Sequence, residues 1–211
     1  MISPNLLIGS SIYKTSENLS KNRSFMSNVV NYPFHEDCVI DGKLSLWHYP
    51  GTPNEIANTL TNISKDNDID KLVKFPSFFT FHPIRQDING SNRIIHFNLA
   101  ITAKTHSKWT TRQREKYVFD TLLRPIYNEF IDVVSRSVYF KNLSGVPPHA
   151  MYENYTTGGK EGLLIERYGD NIDAIEIHNL ALTVNPLLCE RDFLAMEAEN
   201  SKILQRFNDL K

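Results

Sequence analysis

Cysteine is scarce in this sequence: Cys38 and Cys189 are the only two among 211 residues. Two thiols so far apart do not make a disulfide framework, and the chain reads as one that folds in a reducing compartment. An excess of either charge is missing as well. The 23 Lys and Arg residues balance 24 Asp and Glu to a net charge of -1, which argues against a generic polyanion binder. No apolar run approaches the roughly 18 residues that a bilayer requires, so no membrane contact is expected. The first 30 residues hold only the short apolar piece Leu6–Ile8 and no signal-peptide pattern. Internal repeats and low-complexity tracts are absent. What is present is 41% hydrophobic and 11% aromatic residues, which excludes disordered, collagen-like and coiled-coil classes. That composition and length suffice for one sizeable core.

Residues 1–36 are polar and Ser/Asn-rich, and read as an irregular arm with at most a short helix around Glu17 to Val30. An α+β core domain then spans 37–189, and 190–211 form a C-terminal amphipathic helix. Asp41-Gly42 lies between two short apolar runs in CVIDGKLSLWHYP, a hairpin signal. Thr52, Pro53 and Glu55 supply an N-cap, a first-turn proline and a capping-box acid for a helix carrying Ile56, Leu60 and Ile63. KLVKFPSFFTFHPI is strand-like, with Pro76 and Pro83 limiting its continuity. After the turn signal Asn89-Gly90, residues Ile95, Phe97, Leu99 and Ile101 alternate with His96, Asn98, Ala100 and Thr102, which predicts a half-buried strand.

Thr110 or Thr111 then caps a long helix, Arg112 to Ser137, striped by Tyr117, Val118, Leu122, Ile126, Phe130, Ile131 and Val134. Pro125 should kink it near Thr121, because proline removes one backbone donor and crowds the preceding turn. Phe97, Leu99 and Ile101 should pack against Leu122, Ile126 and Phe130. The last strand, Asn171 to Asn185, alternates imperfectly, which a bulge near His178-Asn179 would explain. The C-terminal helix carries Phe193, Met196, Ile203, Phe207 and Leu210 on one side, a stripe we expect a neighbouring chain to cover. The fold class is therefore α+β, a mostly antiparallel sheet packed by one long kinked helix, with an N-terminal arm and a C-terminal helix.

Candidate chemistry is thin. His35-Glu36-Asp37-Cys38 contains four metal-binding residue types, but neighbours in an extended chain point to alternate faces. Convergence of two ligands needs a spacing such as C-x-x-C. His96 and His178 read as hydrogen-bonded sheet residues. Asp173 and Glu176 do not share a strand face, which weakens a general acid/base pairing. TTGGKEG (156–162) lacks phosphate-loop spacing and a preceding hydrophobic strand, and Cys189 beside Glu190 has no nucleophile-elbow context. Lys108, Arg112, Arg114 and Lys116 open the long helix at the unfavourable end of its dipole. A solvated face explains them, or an acidic group from another subunit or a nucleic acid. No catalytic, cofactor-binding or metal residue is assigned, and no cofactor is expected.

Three stretches together carry a resemblance: FPSFFTFHPIRQDI; IIHFNLAITAKT followed by TTRQREKYVFDTLLRPIYNEFIDVVSRSVYF; and RYGDNIDAIEIHNLALTVNPLLC. Their order resembles virion proteins encoded by phages and prophages of Bacteroidetes, including the crAss-like group. The resemblance covers about Pro53 to Cys189, with LLRPIYNEF and DAIEIHNL its most distinctive pieces. The element order is also similar to tail-terminator and neck-ring proteins of tailed phages. The resemblance implies a non-enzymatic structural protein in the virion, at the head–tail junction or tail, assembled in the host cytoplasm. Its partners would be copies of itself in a hexameric or dodecameric ring, and neighbouring portal, neck or tail proteins. Contact with packaged DNA would be transient and non-specific. Head-to-tail rings need two different complementary surfaces per subunit. The alternatives are a metal-dependent enzyme using His35, Glu36 or Asp37 with His48 or His82, and a monomeric host-directed binding module.

Overall fold

The computed structural model describes residues 2–65, 74–141, 145–155 and 171–188, together with residues 192, 194–199 and 201. The N-terminal segment is helical, contrary to the irregular arm expected over 1–36. Helix α1 (Pro4–Lys21) and helix α2 (Arg23–Val29) are joined at Asn22, whose side-chain oxygen accepts from the Phe25 N–H at 3.1 Å. Leu7, Ile8, Ile12 and Leu19 are buried in the main core, so this segment belongs to the domain. Its apolar stripe is hard to see because small polar residues share the buried face. Ser11 and Thr15 return their hydroxyls to the carbonyls four residues earlier, at 3.0 and 2.9 Å, and are thereby satisfied without water.

Next come the short helix α3 (His35–Cys38) and the two-residue strands β1 (Val39–Ile40) and β2 (Lys43–Leu44). These strands form the expected hairpin, with Asp41 and Gly42 both at positive φ (50° and 72°), the requirement of a type I′ turn. Strand β3 (Trp47–Gly51) leaves the hairpin and joins the main sheet. Helix α4 (Pro53–Lys65) follows, and its capping box is present: Glu55 Oε2 accepts from the Thr52 N–H at 2.7 Å, and Thr52 Oγ1 from the Glu55 N–H at 3.3 Å.

The five-stranded sheet has the order β3-β4-β5-β7-β6, with β4 (Ser77–Asn89), β5 (Asn92–Lys104), β6 (Ala150–Asn154) and β7 (Ile172–Val184). It is antiparallel except where β3 runs parallel to β4, the two strands that flank α4 in sequence. The register of β4 against β5 shifts between Phe81 and Arg85, the stretch that holds Pro83. On β7 the shift falls where the alternation breaks: Ile177 pairs with Leu99 and Leu180 with Phe97, so His178 and Asn179 together oppose Asn98. Asn179 sits at φ 55°, and its N–H donates to Asn98 Oδ1 at 2.9 Å. The extra residue switches parity. Asp173, Ile175 and Ile177 face the main core before it, and Leu180, Leu182 and Val184 after it.

Between β5 and β6 runs the long helix, composed of α5 (Thr111–Arg114), a π-helical segment (Glu115–Leu123) and α6 (Arg124–Arg136). Thr110 is its N-cap, in a reciprocal capping box with Gln113. The irregularity expected from Pro125 takes the form of this π segment. The Arg124 N–H reaches back five residues to the Phe119 carbonyl, and Thr121 Oγ1 donates to the Lys116 carbonyl at 2.8 Å. The apolar side of the long helix lies on one sheet face: Phe97, Leu99, Ile101, Leu122, Ile126 and Phe130 are all buried in one cluster. The ring of Phe130 lies 4.9 Å from that of Phe78. A second, smaller core sits under α4 on the opposite face, built from Trp47, Tyr49, Ile56, Leu60, Phe79 and Ala100.

The described part of the C-terminal segment, helical over 194–199, returns to its own chain. Met196 is fully buried in the main core. Glu199 accepts a hydrogen bond from Ser10 and lies 3.6 Å from Lys14 Nζ. At Met196, then, the apolar stripe is buried in the chain's own main core, where a neighbouring chain was expected. Phe193, Ile203, Phe207 and Leu210 lie outside the described side chains.

Candidate functional site

The polar residues singled out in the sequence go to separate places. His35, Glu36, Asp37 and Cys38 form α3, where His35 Nδ1 lies 3.1 Å from the Tyr32 carbonyl and Asp37 Oδ2 3.3 Å from Lys104 Nζ. Cys38 is buried, and desolvation, with the nearby Asp37 carboxylate, pushes its thiol up to about 12. His48 Nε2 meets Thr80 Oγ1 at 2.9 Å on strands β3 and β4. His82 Nε2 meets the Asn5 side chain of α1 at 3.3 Å. Among the described residues, no three His, Cys, Asp or Glu side chains converge as a metal site.

The strand histidines are bonded within the sheet, as their alternation predicted. His96 Nε2 lies 2.9 Å from Asp87 Oδ2, and His178 Nε2 lies 2.8 Å from Glu176 Oε2. TTGGKEG and the Cys189-Glu190 pair lie outside the described residues.

The basic cluster at the start of the long helix splits in two. Arg114, grouped in the sequence with a solvated face, is fully buried and donates from Nη1 to Asp173 Oδ1 at 3.0 Å, with Asp173 equally buried. The acid that answers this cation at the unfavourable end of the helix is thus one of the chain's own. Asp173 and Glu176 do point to different faces, since Asp173 is buried in the core and Glu176 pairs with His178. Arg114 Nη2 also donates to the His106 carbonyl at 3.4 Å, which ties down the turn between β5 and α5. Beside the pair, Tyr32 donates its hydroxyl to the Lys104 carbonyl at 2.6 Å. Its burial, with Cys38, Asp37 and Asp173 adding repulsion, holds the phenol well above its usual range. A proton held this firmly does not serve acid/base chemistry near neutral pH, and the arrangement is that of a buried clamp.

The remainder of the cluster, Lys108, Arg112 and Lys116, is exposed, and in the chain it flanks the half-buried Trp109 and Tyr117. The net charge conceals this patch because Asp and Glu elsewhere cancel it in the total, although its cations stand out as a cluster in the sequence. A second polar knot joins the long helix to β6: Arg124 grips Glu153 through two hydrogen bonds of 2.7 and 2.8 Å and also pairs with Asp120. Arg124 in turn pulls the Glu153 carboxyl below its ordinary range.

Some apolar side chains stay uncovered. Val138 (65% exposed) and Leu187 (84%) lie just past the C-terminal ends of α6 and β7, bridged by Asn185, which donates to the Val138 carbonyl at 3.0 Å. Met151 and Tyr152, at 40% and 53% exposure, are on β6, an edge of the sheet. No described helix is long and apolar enough to cross a membrane. Comparisons with family models, with curated proteins and with solved structures return no match.

Proposed function

We propose that this chain is a non-catalytic structural protein of a tailed-phage virion, forming a homo-oligomeric ring at the head–tail junction through which DNA passes. The observation that supports the reading is a set of exposed apolar side chains on separate parts of the domain: Val138 and Leu187 just past the ends of α6 and β7, and Met151 and Tyr152 on opposite faces of the edge strand β6. Contiguous exposed apolar surface marks sites of association, and we read these side chains as parts of such surfaces. Exposed apolar positions on different parts of the surface suit a head-to-tail contact, which closes into a ring when the rotation between subunits allows it. The resemblance of residues 53–189 to phage virion proteins supplies the setting. Neighbouring portal, neck or tail proteins would dock on the ring's two rims. The metal-enzyme alternative has no comparable support among the described residues, because His35, Asp37, His48 and His82 are engaged with different partners.

Light scattering after size exclusion, with negative-stain microscopy, tests the proposal on the full chain. Rings of six or twelve subunits are expected, and Val138→Asp with Leu187→Asp should reduce them to monomers that keep the wild-type circular dichroism. A wild-type chain that stays monomeric at tens of micromolar, and does not assemble when purified neck or tail neighbours are added, overturns the reading.

A further inference from the structure

The turn between β5 and α5 carries a surface outside the contacts proposed for the ring. Trp109 is its centre. The centroid of its ring lies 5.9 Å from that of His106, with the two planes 29° apart, 5.8 Å from Phe34 and 5.7 Å from Tyr117. Four rings from three parts of the chain thus form one aromatic ledge, of which His106 is the exposed member. The His106 ring is fixed by the Lys108 N–H, which donates to its Nδ1 at 3.1 Å. The backbone beneath it is held by the buried Arg114 at 3.4 Å.

Lys116 holds its ammonium 5.3 Å from the centre of the Tyr117 ring, and the exposed Lys108 and Arg112 lie one and three residues from Trp109 along the chain. Among the described residues no carboxylate lies within ion-pair distance of these three. The acids on the same elements are turned to other cations, Asp37 to Lys104 at 3.3 Å and Glu115 to Arg124 at 3.7 Å, while Glu36 stands exposed on α3.

Cations beside a cluster of aromatic rings, tilted 29° to 48° from one another and with His106 exposed, match one class of ligand. Its phosphates answer the positive charges, and its bases have free π-faces to stack. We infer that this ledge binds single-stranded nucleic acid, with a base on the exposed face of His106 and backbone phosphates against Lys108, Arg112 and Lys116. A duplex keeps its base faces stacked inside and would leave the ledge idle. An acidic peptide would use the cations and not the rings. The site is complete within one chain, so the inference stands apart from ring formation and is tested without it.

The test is fluorescence anisotropy of a labelled oligothymidylate of about 10 nucleotides, within the usual span of such sites, titrated with the full chain at low salt. Three phosphate contacts predict that log K falls against log salt with a slope of about -2, and each removed cation should flatten it by about 0.7. Arg112→Glu and Lys116→Glu, both at exposed positions, should each weaken binding by tenfold or more. His106→Ala removes one stacking surface and should cost about five- to a hundredfold. Quenching of Trp109 fluorescence, read in a Trp47→Phe background, reports occupancy of the ledge itself. No binding at tens of micromolar chain overturns the inference, as does binding unchanged by both charge reversals. Equal affinity for a duplex of the same length, or for polyglutamate, overturns it as well.

Discussion

Arg114 and Asp173 form an ion pair of 3.0 Å with both side chains fully buried, joining the first turn of the long helix to the second residue of β7. Two desolvated charges hold each other in place, and neither tolerates the loss of the other. We expect Asp173→Ala to destabilise the fold by about 3–5 kcal/mol, since it strands a buried guanidinium. Replacing both, Arg114→Met with Asp173→Leu, should recover most of that loss. Urea denaturation of the wild type and the two variants measures both costs, and a cost under about 1 kcal/mol for Asp173→Ala would show that water reaches the pair.

Phe130 is buried between sheet and helix, against Phe78. Truncation to Ala leaves a ring-sized cavity that the surrounding β-strands cannot close. The expected loss is about 3–5 kcal/mol by chemical denaturation. A loss near 1 kcal/mol would mean that the helix resettles onto the sheet.

His48 gives the fold a pH dependence of known sign. Burial, reinforced by the nearby His82, lowers its imidazole from 6.5 to about 4. The folded state therefore prefers the neutral ring. Its contribution is complete above pH 6.5 and is lost progressively as pH falls toward 4, by about 2–3 kcal/mol. His48→Gln keeps a group able to bond Thr80 and cannot take up the proton. Stability curves of wild type and variant should diverge across that window, and parallel curves would place the acid sensitivity elsewhere.

Cys38 should be inert. With its thiol pushed up to about 12 and buried, almost no thiolate exists at neutral pH. Iodoacetamide on the native chain, followed by peptide mass spectrometry, should leave Cys38 unmodified, while the urea-unfolded chain is labelled. Native labelling at the unfolded rate would show that α3 opens readily.

Periodicity makes the central sheet and the long helix legible in the sequence, because Ile95 to Ile101 and Leu122 to Phe130 are apolar enough to announce their faces. The break at His178-Asn179 is legible for the same reason, as a shift in an otherwise regular pattern. α1 is not, since four of its ten buried residues are Ser or Thr, two bonded within the helix and two to Leu44 and Glu199 across the fold. The parallel pairing of β3 with β4 is hidden by the hairpin signal just before it. Nor can the sequence separate Arg114 from Lys108, Arg112 and Lys116: burial of one arginine among four cations depends on Asp173, 59 residues away. The aromatic ledge is hidden likewise, because Phe34 and Tyr117 reach Trp109 only through the fold.

The π-helical stretch from Glu115 to Leu123 bears on how this chain can vary. Bonds that reach back five residues accommodate more chain per turn than the α-helix on either side. The long helix therefore stores slack. Losing a single residue between 115 and 123 would let the backbone return to ordinary α pairing while α5 and α6 keep their seats on the sheet. The same loss within α6 would turn Phe130 and Val134 away from the core. A descendant of the same ancestor could thus be one residue shorter in the middle of a helix, and the two sequences would match only across a gap placed there.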